Sequence, residues 1–314
     1  MRNAILTAAL AGVLAVTGTS GVAAASEPET RAYTGVIDGA EYRVEVPGRW
    51  NGRLLLFSHG FYPPGYVPDV AVVNQAAAKP ELLDQGYALA ASNYRTPDGY
   101  AVKHALVDQI ALLDWFSDEV GKPQQVLAWG ASMGGLISTL LAERNPDRID
   151  GVLPMCAPLA GTVSHLNQGL DAGFVVRTLL GADADLVDIT DPDGNEAAAV
   201  KAVQDALATP SGRARFSLAA TVAGIPAWSR ALEPRPTELD ARIDQQADHV
   251  VKFLALLIWG AGRASVEERA GGNPSGNAGI DYAELLSRAG ERDLVVDAYR
   301  QAGLDLDADL ARLD

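Results

Sequence analysis

Cysteine is nearly absent from this chain. Cys156 is the only one in 314 residues, so no intramolecular disulfide can staple the fold, and stability must come from a packed core. Histidine is also scarce, with four in the whole sequence. No His/Cys/carboxylate cluster has metal-ligand spacing, and Asp188 to Glu196 does not match the Asp-x-Asp-x-Asp-Gly calcium loop. It reads as a solvated turn. Neither a P-loop nor a dinucleotide fingerprint is present, so no metal and no cofactor are expected. Positive charge is in deficit: 25 Lys and Arg stand against 40 Asp and Glu, a net of −15. Such a surface repels nucleic acid and anionic membranes. Long apolar runs are missing too. Phe253 to Trp259 is apolar but far short of the roughly 20 residues that span a bilayer, so no stable membrane anchor is expected.

The N-terminus departs from the rest. Arg2 precedes an apolar stretch from Ala4 to Val16, and small residues follow through Ala23-Ala24-Ala25-Ser26. A charged start, a short apolar middle and an Ala-x-Ala end describe a secretory signal peptide over residues 1–26, cleaved near Ala25 or Ser26. The mature protein is then secreted, either extracellular or periplasmic. In that compartment Cys156, set in the apolar run Val152 to Met155, reads as a small buried hydrophobe.

Residues 27–158 alternate strand and helix signals. Strand-like pieces run from Arg31 to Ile37, Tyr42 to Val46, Arg53 to Phe57, Tyr87 to Ser92, Val126 to Trp129 and Gly151 to Cys156. Val70 to Gln85 reads as mostly helical, broken or kinked at Pro80, and Val102 to Glu119 carries a strong 3.6-residue period. Alternation of this kind predicts an α/β architecture with a mostly parallel sheet. Residues 159–314 change character. Helical patterns cover Gly169 to Leu180, Glu196 to Ala208, Leu239 to Trp259, Tyr282 to Arg288 and Leu294 to Ala302, and Asp191-Pro192-Asp193-Gly194 reads as a breaker.

One stretch names a chemistry. The run Val126-Leu127-Ala128-Trp129 ends at Gly130-Ala131-Ser132-Met133-Gly134-Gly135, and a helix pattern follows. Strand, sharp turn and helix with Gly-x-Ser-x-Gly at the turn make a nucleophile elbow. The turn lifts the serine hydroxyl clear of the backbone, and glycines flank it because side chains there would collide. Free N–H groups at the helix start, Met133 first, face charge developing beside Ser132.

Together with Ser58-His59-Gly60-Phe61 at the end of the third strand, this order of features resembles the α/β-hydrolase superfamily, in the form of a secreted bacterial serine esterase or peptidase with a helical cap. The resemblance implies an α/β-hydrolase fold over 27–158 with a large helical cap after the sixth strand. It also implies Ser132 as catalytic nucleophile and the N–H groups of Phe61 and Met133 as oxyanion donors. His59, Gly60 and Tyr62 would line the site. His59 reads as a structural histidine of the turn, and His165, from the base of the cap, is a further lining candidate.

The departure from the family lies in the base. A serine nucleophile needs a histidine oriented by a carboxylate, and in the family both follow the serine on loops after further strands. Only His165 and His249 follow Ser132; the first lies too close to the sixth strand, and the second sits in a helical context. The expectation is a chain that stops before its last core strands, which would need about 60 further residues, and that is nearly inactive as given. The functional reading is a serine hydrolase of a small-molecule carboxylic ester or related acyl bond, with an aminopeptidase of the same fold or a non-catalytic scaffold as rivals.

Overall fold

The computed structural model describes residues 29–230 and 232–313. Residues 1–26, expected from the sequence to be a signal peptide, lie outside the described residues. The chain opens with a hairpin of β1 (Arg31–Ile37) and β2 (Ala40–Val46), paired antiparallel. Its turn residues Asp38 and Gly39 have φ of 50° and 88°, and positive φ at both central positions matches the twist of the flanking strands. Then come β3 (Arg53–Ser58), α1 (Ala78–Asp84), β4 (Ala88–Ser92), α2 (Val102–Glu119), β5 (Gln125–Ala131), α3 (Met133–Arg144) and β6 (Gly151–Met155). The sheet order is β1-β2-β4-β3-β5-β6. β2 meets β4 antiparallel, and β4, β3, β5 and β6 run parallel. Every residue of β4 is buried, as expected of a strand covered on both faces. Val44, Leu54, Leu56, Leu112, Phe116 and Ile137 belong to one cluster that glues α2 and α3 to the sheet.

After β6 the regular elements of the described residues are all helical: α4 (Thr162–Leu180), α5 (Pro192–Leu207), α6 (Pro210–Val222) and α7 (Leu239–His249). A π-helical turn (Val250–Leu254), α8 (Ala255–Ile258), α9 (Ala261–Ala270), α10 (Tyr282–Arg288), α11 (Arg292–Ala302) and α12 (Leu306–Leu310) complete the series. These helices pack on a second cluster, with Val175, Phe216, Leu218, Trp259, Leu294 and Tyr299 among its members. Tyr100 reaches across between the two layers. Its hydroxyl is 2.5 Å from Thr162 Oγ1 on α4, and its N–H donates to Ser265 Oγ on α9 at 2.8 Å.

Several expectations need correction. The helix expected over Val70 to Gln85 is only α1, and Pro80 falls within its first turn, where a missing N–H breaks no bond. The breaker at Asp191 to Gly194 is a helix start: Asp191 caps α5 by accepting from Gly194 N, with Pro192 in the first turn. Thr209 and Pro210 open α6 by the same device, and the sequence reading passed over both α6 and α9. Cys156 is exposed, not buried, because β6 is the outer strand of the described sheet; Val152 and Leu153 on it are exposed as well. The sequence also conceals one helical run, Leu239–Ala270, long and apolar enough by composition to cross a membrane. Half of its apolar window is buried in the fold, and the helix breaks at Trp259–Gly260.

Candidate active site

Ser132 stands between β5 and α3 with φ 55° and ψ −124°. A non-glycine residue at such angles costs about 1–3 kcal/mol and persists only where its surroundings over-determine it. Those surroundings are visible. Ser132 N donates to Met155 O on β6 at 2.9 Å, and Ser132 O accepts from Gly135 N at 3.0 Å and Leu136 N at 3.2 Å. The glycines are needed for close approach. A Cβ on Gly134 or on Gly130 would overlap the carbonyl oxygen of Ser58 at the end of β3, and one on Gly135 would lie 2.7 Å from Ala157 Cβ. The neighbour that forbids side chains at Gly130 and Gly134 is therefore largely the adjacent strand, which ties the elbow to the turn after β3.

That turn is held from beneath. Gln109 on α2 donates to Phe57 O at 2.7 Å and to Ser58 Oγ at 2.9 Å. His59 is buried in a sandwich, with its ring centroid 4.3 Å from Tyr62 and 4.2 Å from Tyr94. A carbonyl can only accept, so the 2.7 Å contact between His59 Nδ1 and Gly60 O fixes the proton on Nδ1. Burial pushes the imidazole pKa below its usual value, against the opposing pull of the Gly60 and Asn93 carbonyls. His59 is thus a neutral donor at pH 7. The consequence reaches the next residue. There are no cis peptides among the described residues, and in a trans peptide the C=O and N–H point opposite ways. With Gly60 O drawn toward His59, the N–H of Phe61 points away from it. The turn also touches the elbow: a Cβ on Gly60 would lie 3.7 Å from Ser132 Cβ.

A cavity of about 410 Å³ opens above these two features. His59, Gly60, Phe61, Tyr62 and the exposed Ser132 line one side of it. Met133 is buried behind Ser132 as the first residue of α3. The lining also includes Phe253, Leu256 and Leu257 from the π turn and α8, together with Val73 and Asn74. Sequence reading missed this part of the lining; its one signal was the apolar run from Phe253 to Trp259 inside a helical pattern. His165 is not brought to the cavity. It sits on α4, half-buried, with its pKa lowered by burial. His249 lies on α7, its ring 5.7 Å from that of Phe253, and does not line the cavity either. His59 is the only histidine among the residues lining the cavity, with Nδ1–H donating to Gly60 O and Nε2 turned to Asn93 O at 3.5 Å. Among the described residues no three His, Cys, Asp or Glu side chains gather as metal ligands.

The arrangement therefore comprises an exposed serine on a strained turn, N–H groups beside it, and an apolar chamber above. Known proteins with related sequences or folds include an o-phthalyl amidase of Xanthobacter agilis, 29% identical over 307 residues, a span covering 87% of this chain and 64% of the amidase. The chain thus spans less than two thirds of that relative's length. Similar solved structures include Est1E from Butyrivibrio proteoclasticus with ferulic acid bound, at 18% identity and a TM-score of 0.34, covering 50% of this chain and 59% of that one. A mutant potato epoxide hydrolase is 15% identical with a TM-score of 0.38, covering 76% and 74% of the two chains. The sequence profile of the alpha/beta hydrolase fold matches residues 54–252, and the chain belongs to that family.

Proposed function

We propose that the protein is an exported serine hydrolase that cleaves a carboxylic ester or amide through an acyl-Ser132 intermediate. The observation that carries this reading is the φ of 55° at Ser132, enforced by the packing of Gly130 and Gly134 on Ser58. In the proposed reaction Ser132 Oγ attacks the acyl carbon, its proton passes to water, and the carbonyl π electrons move onto oxygen. The N–H groups of Phe61 and Met133 receive that oxyanion. Each such donor lowers the barrier by about 3 kcal/mol in well-studied hydrolases. Collapse of the tetrahedral species expels the alkoxide or amine leaving group, which is protonated as it departs, and water then releases the acid. The amide is included because the curated relative is an amidase. An aminopeptidase would need a carboxylate to hold the substrate amine, and no Asp or Glu is among the residues lining the cavity.

No histidine on the cavity is placed to act as base, because the unprotonated Nε2 of His59 lies 3.5 Å from Asn93 O inside its buried stack, so turnover by this 314-residue chain should be slow, carried by binding and oxyanion stabilisation alone. The test is acylation by p-nitrophenyl butyrate, followed by intact mass and peptide mapping. The expected result is a butyryl group on the Ser132 peptide, lost in Ser132→Ala. Labelling that persists in Ser132→Ala would remove the serine from the mechanism. Export is checked by N-terminal sequencing of secreted material, expected to begin near Ala25 or Ser26.

A further inference from the structure

The chamber over Ser132 is uncharged. Its lining contains no Asp, Glu, Lys or Arg; besides backbone groups and Ser132 itself, its polar side chains are Asn74, the Tyr62 hydroxyl and His59. His59 stays neutral because burial opposes its protonation. Four aromatic side chains besides His59 line it: Phe57, Phe61, Tyr62 and Phe253. Tyr62 lies flat against His59, with 7° between the ring planes, and so is held in one orientation. Phe253 leaves 63% of its surface exposed although it borders this chamber. Large apolar side chains beside a concave site commonly wait for a ligand to cover them.

The backbone explains how Phe253 comes to be there. Ala255 N donates to Val250 O, an i→i+5 bond, so the turn from Val250 to Leu254 holds one residue more than an α-helical turn. One extra residue rotates everything after it by about 100° relative to α7. Leu256 and Leu257 thereby join Phe253 on the cavity, while Val250 and Ala255 are buried in the helical cluster. Such single π turns are costly irregularities that recur at functional sites. Here the irregularity builds a wall.

We propose that this site selects an uncharged aromatic or bulky apolar acyl group, seated against Tyr62 and the wall formed by Phe253, Leu256 and Leu257, and rejects acyl groups bearing a second carboxylate. The proposal rests on the acyl-serine reading for which end of the substrate enters. A carboxylate drawn into this chamber would lose its hydration and meet no cation. A benzoyl-type ring instead gains contact with the aromatic and leucine side chains of the lining. The net negative charge of the chain, −15, works in the same direction during approach.

The test separates pocket from chemistry by measuring equilibrium binding of unreactive amides to the wild-type chain by calorimetry. N-methyl-4-nitrobenzamide and its isostere 4-carboxy-N-methylbenzamide differ in charge at nearly constant shape. The neutral ligand is expected to bind at least about tenfold more tightly. Phe253→Ala should weaken the neutral ligand several-fold, and Phe253→Arg should reverse the preference, a gain that a misfolded variant cannot produce. Equal or tighter binding of the carboxylate by the wild type overturns the proposal, as does unchanged selectivity in Phe253→Arg. The ligands need no reaction, so failure of Ser132 acylation counts against the serine chemistry alone.

Discussion

The elbow shows how a few small residues hold a serine at strained backbone angles. Ser132 is held at a positive φ by bonds to Met155, Gly135 and Leu136, and it can be held there only because Gly130 and Gly134 let Ser58 come into contact. Gly134→Ala puts a methyl group against a strand carbonyl that has no room to retreat, and overpacking of this kind costs about 1–3 kcal/mol. Gly276→Ala is the matched control: nothing lies within 4 Å of its Cβ position and its φ is not in the left-handed region. Urea unfolding should show a lower midpoint for Gly134→Ala and no significant change for Gly276→Ala. An unaltered midpoint in both would mean that the elbow tolerates a wider strand spacing. Ser132, His59, Gly60, Phe61 and Tyr62 were legible in the sequence because their signals are local: a strand end, a glycine and a polar residue within a few positions. Phe253 was not, because its place depends on contacts between segments remote in sequence.

Among elements, the strands of the sheet were readable because burial on both faces demands continuous apolar runs, and β3, β4 and β5 have them. The helices after β6 were less so. Asp191-Pro192 looks like an interruption until the capping bond to Gly194 shows it to be a beginning, and Thr209-Pro210 opens α6 through the matching bond from Gly212. The π turn escaped because one extra residue destroys the 3.6-residue period on which helix reading depends. Strand β6 carries a consequence of its own. It pairs with β5 on one side and borders no other strand among the described residues, with Val152 and Leu153 exposed along it. An open apolar edge templates pairing with another chain. Static light scattering of the 314-residue chain should show concentration-dependent association, reduced by Leu153→Lys. Association unaffected by the lysine would place the contact elsewhere.

Across the whole molecule, the acyl chemistry proposed for Ser132 and the chamber that receives the substrate come from different layers. Sheet loops supply the serine and the turn beside it; the helices after β6 supply Phe253, Leu256 and Leu257. Each layer has its own apolar cluster, and Tyr100 ties them through Thr162 and Ser265. Two cores joined by so slender a seam need not melt as one. All-or-none unfolding requires that losing one part removes the contacts that stabilise the other, and here most contacts of each part are internal. Differential scanning calorimetry should therefore resolve two heat-absorption events, and Tyr100→Phe, which deletes the hydroxyl contact with Thr162, should draw them further apart. A single peak whose van't Hoff and calorimetric enthalpies agree would show the seam to be stronger than its hydrogen bonds. If the events separate with the helical layer melting first, warming would dismantle the chamber while Ser132 still stood on an intact sheet, and selectivity among acyl groups would disappear at a lower temperature than the capacity to be acylated.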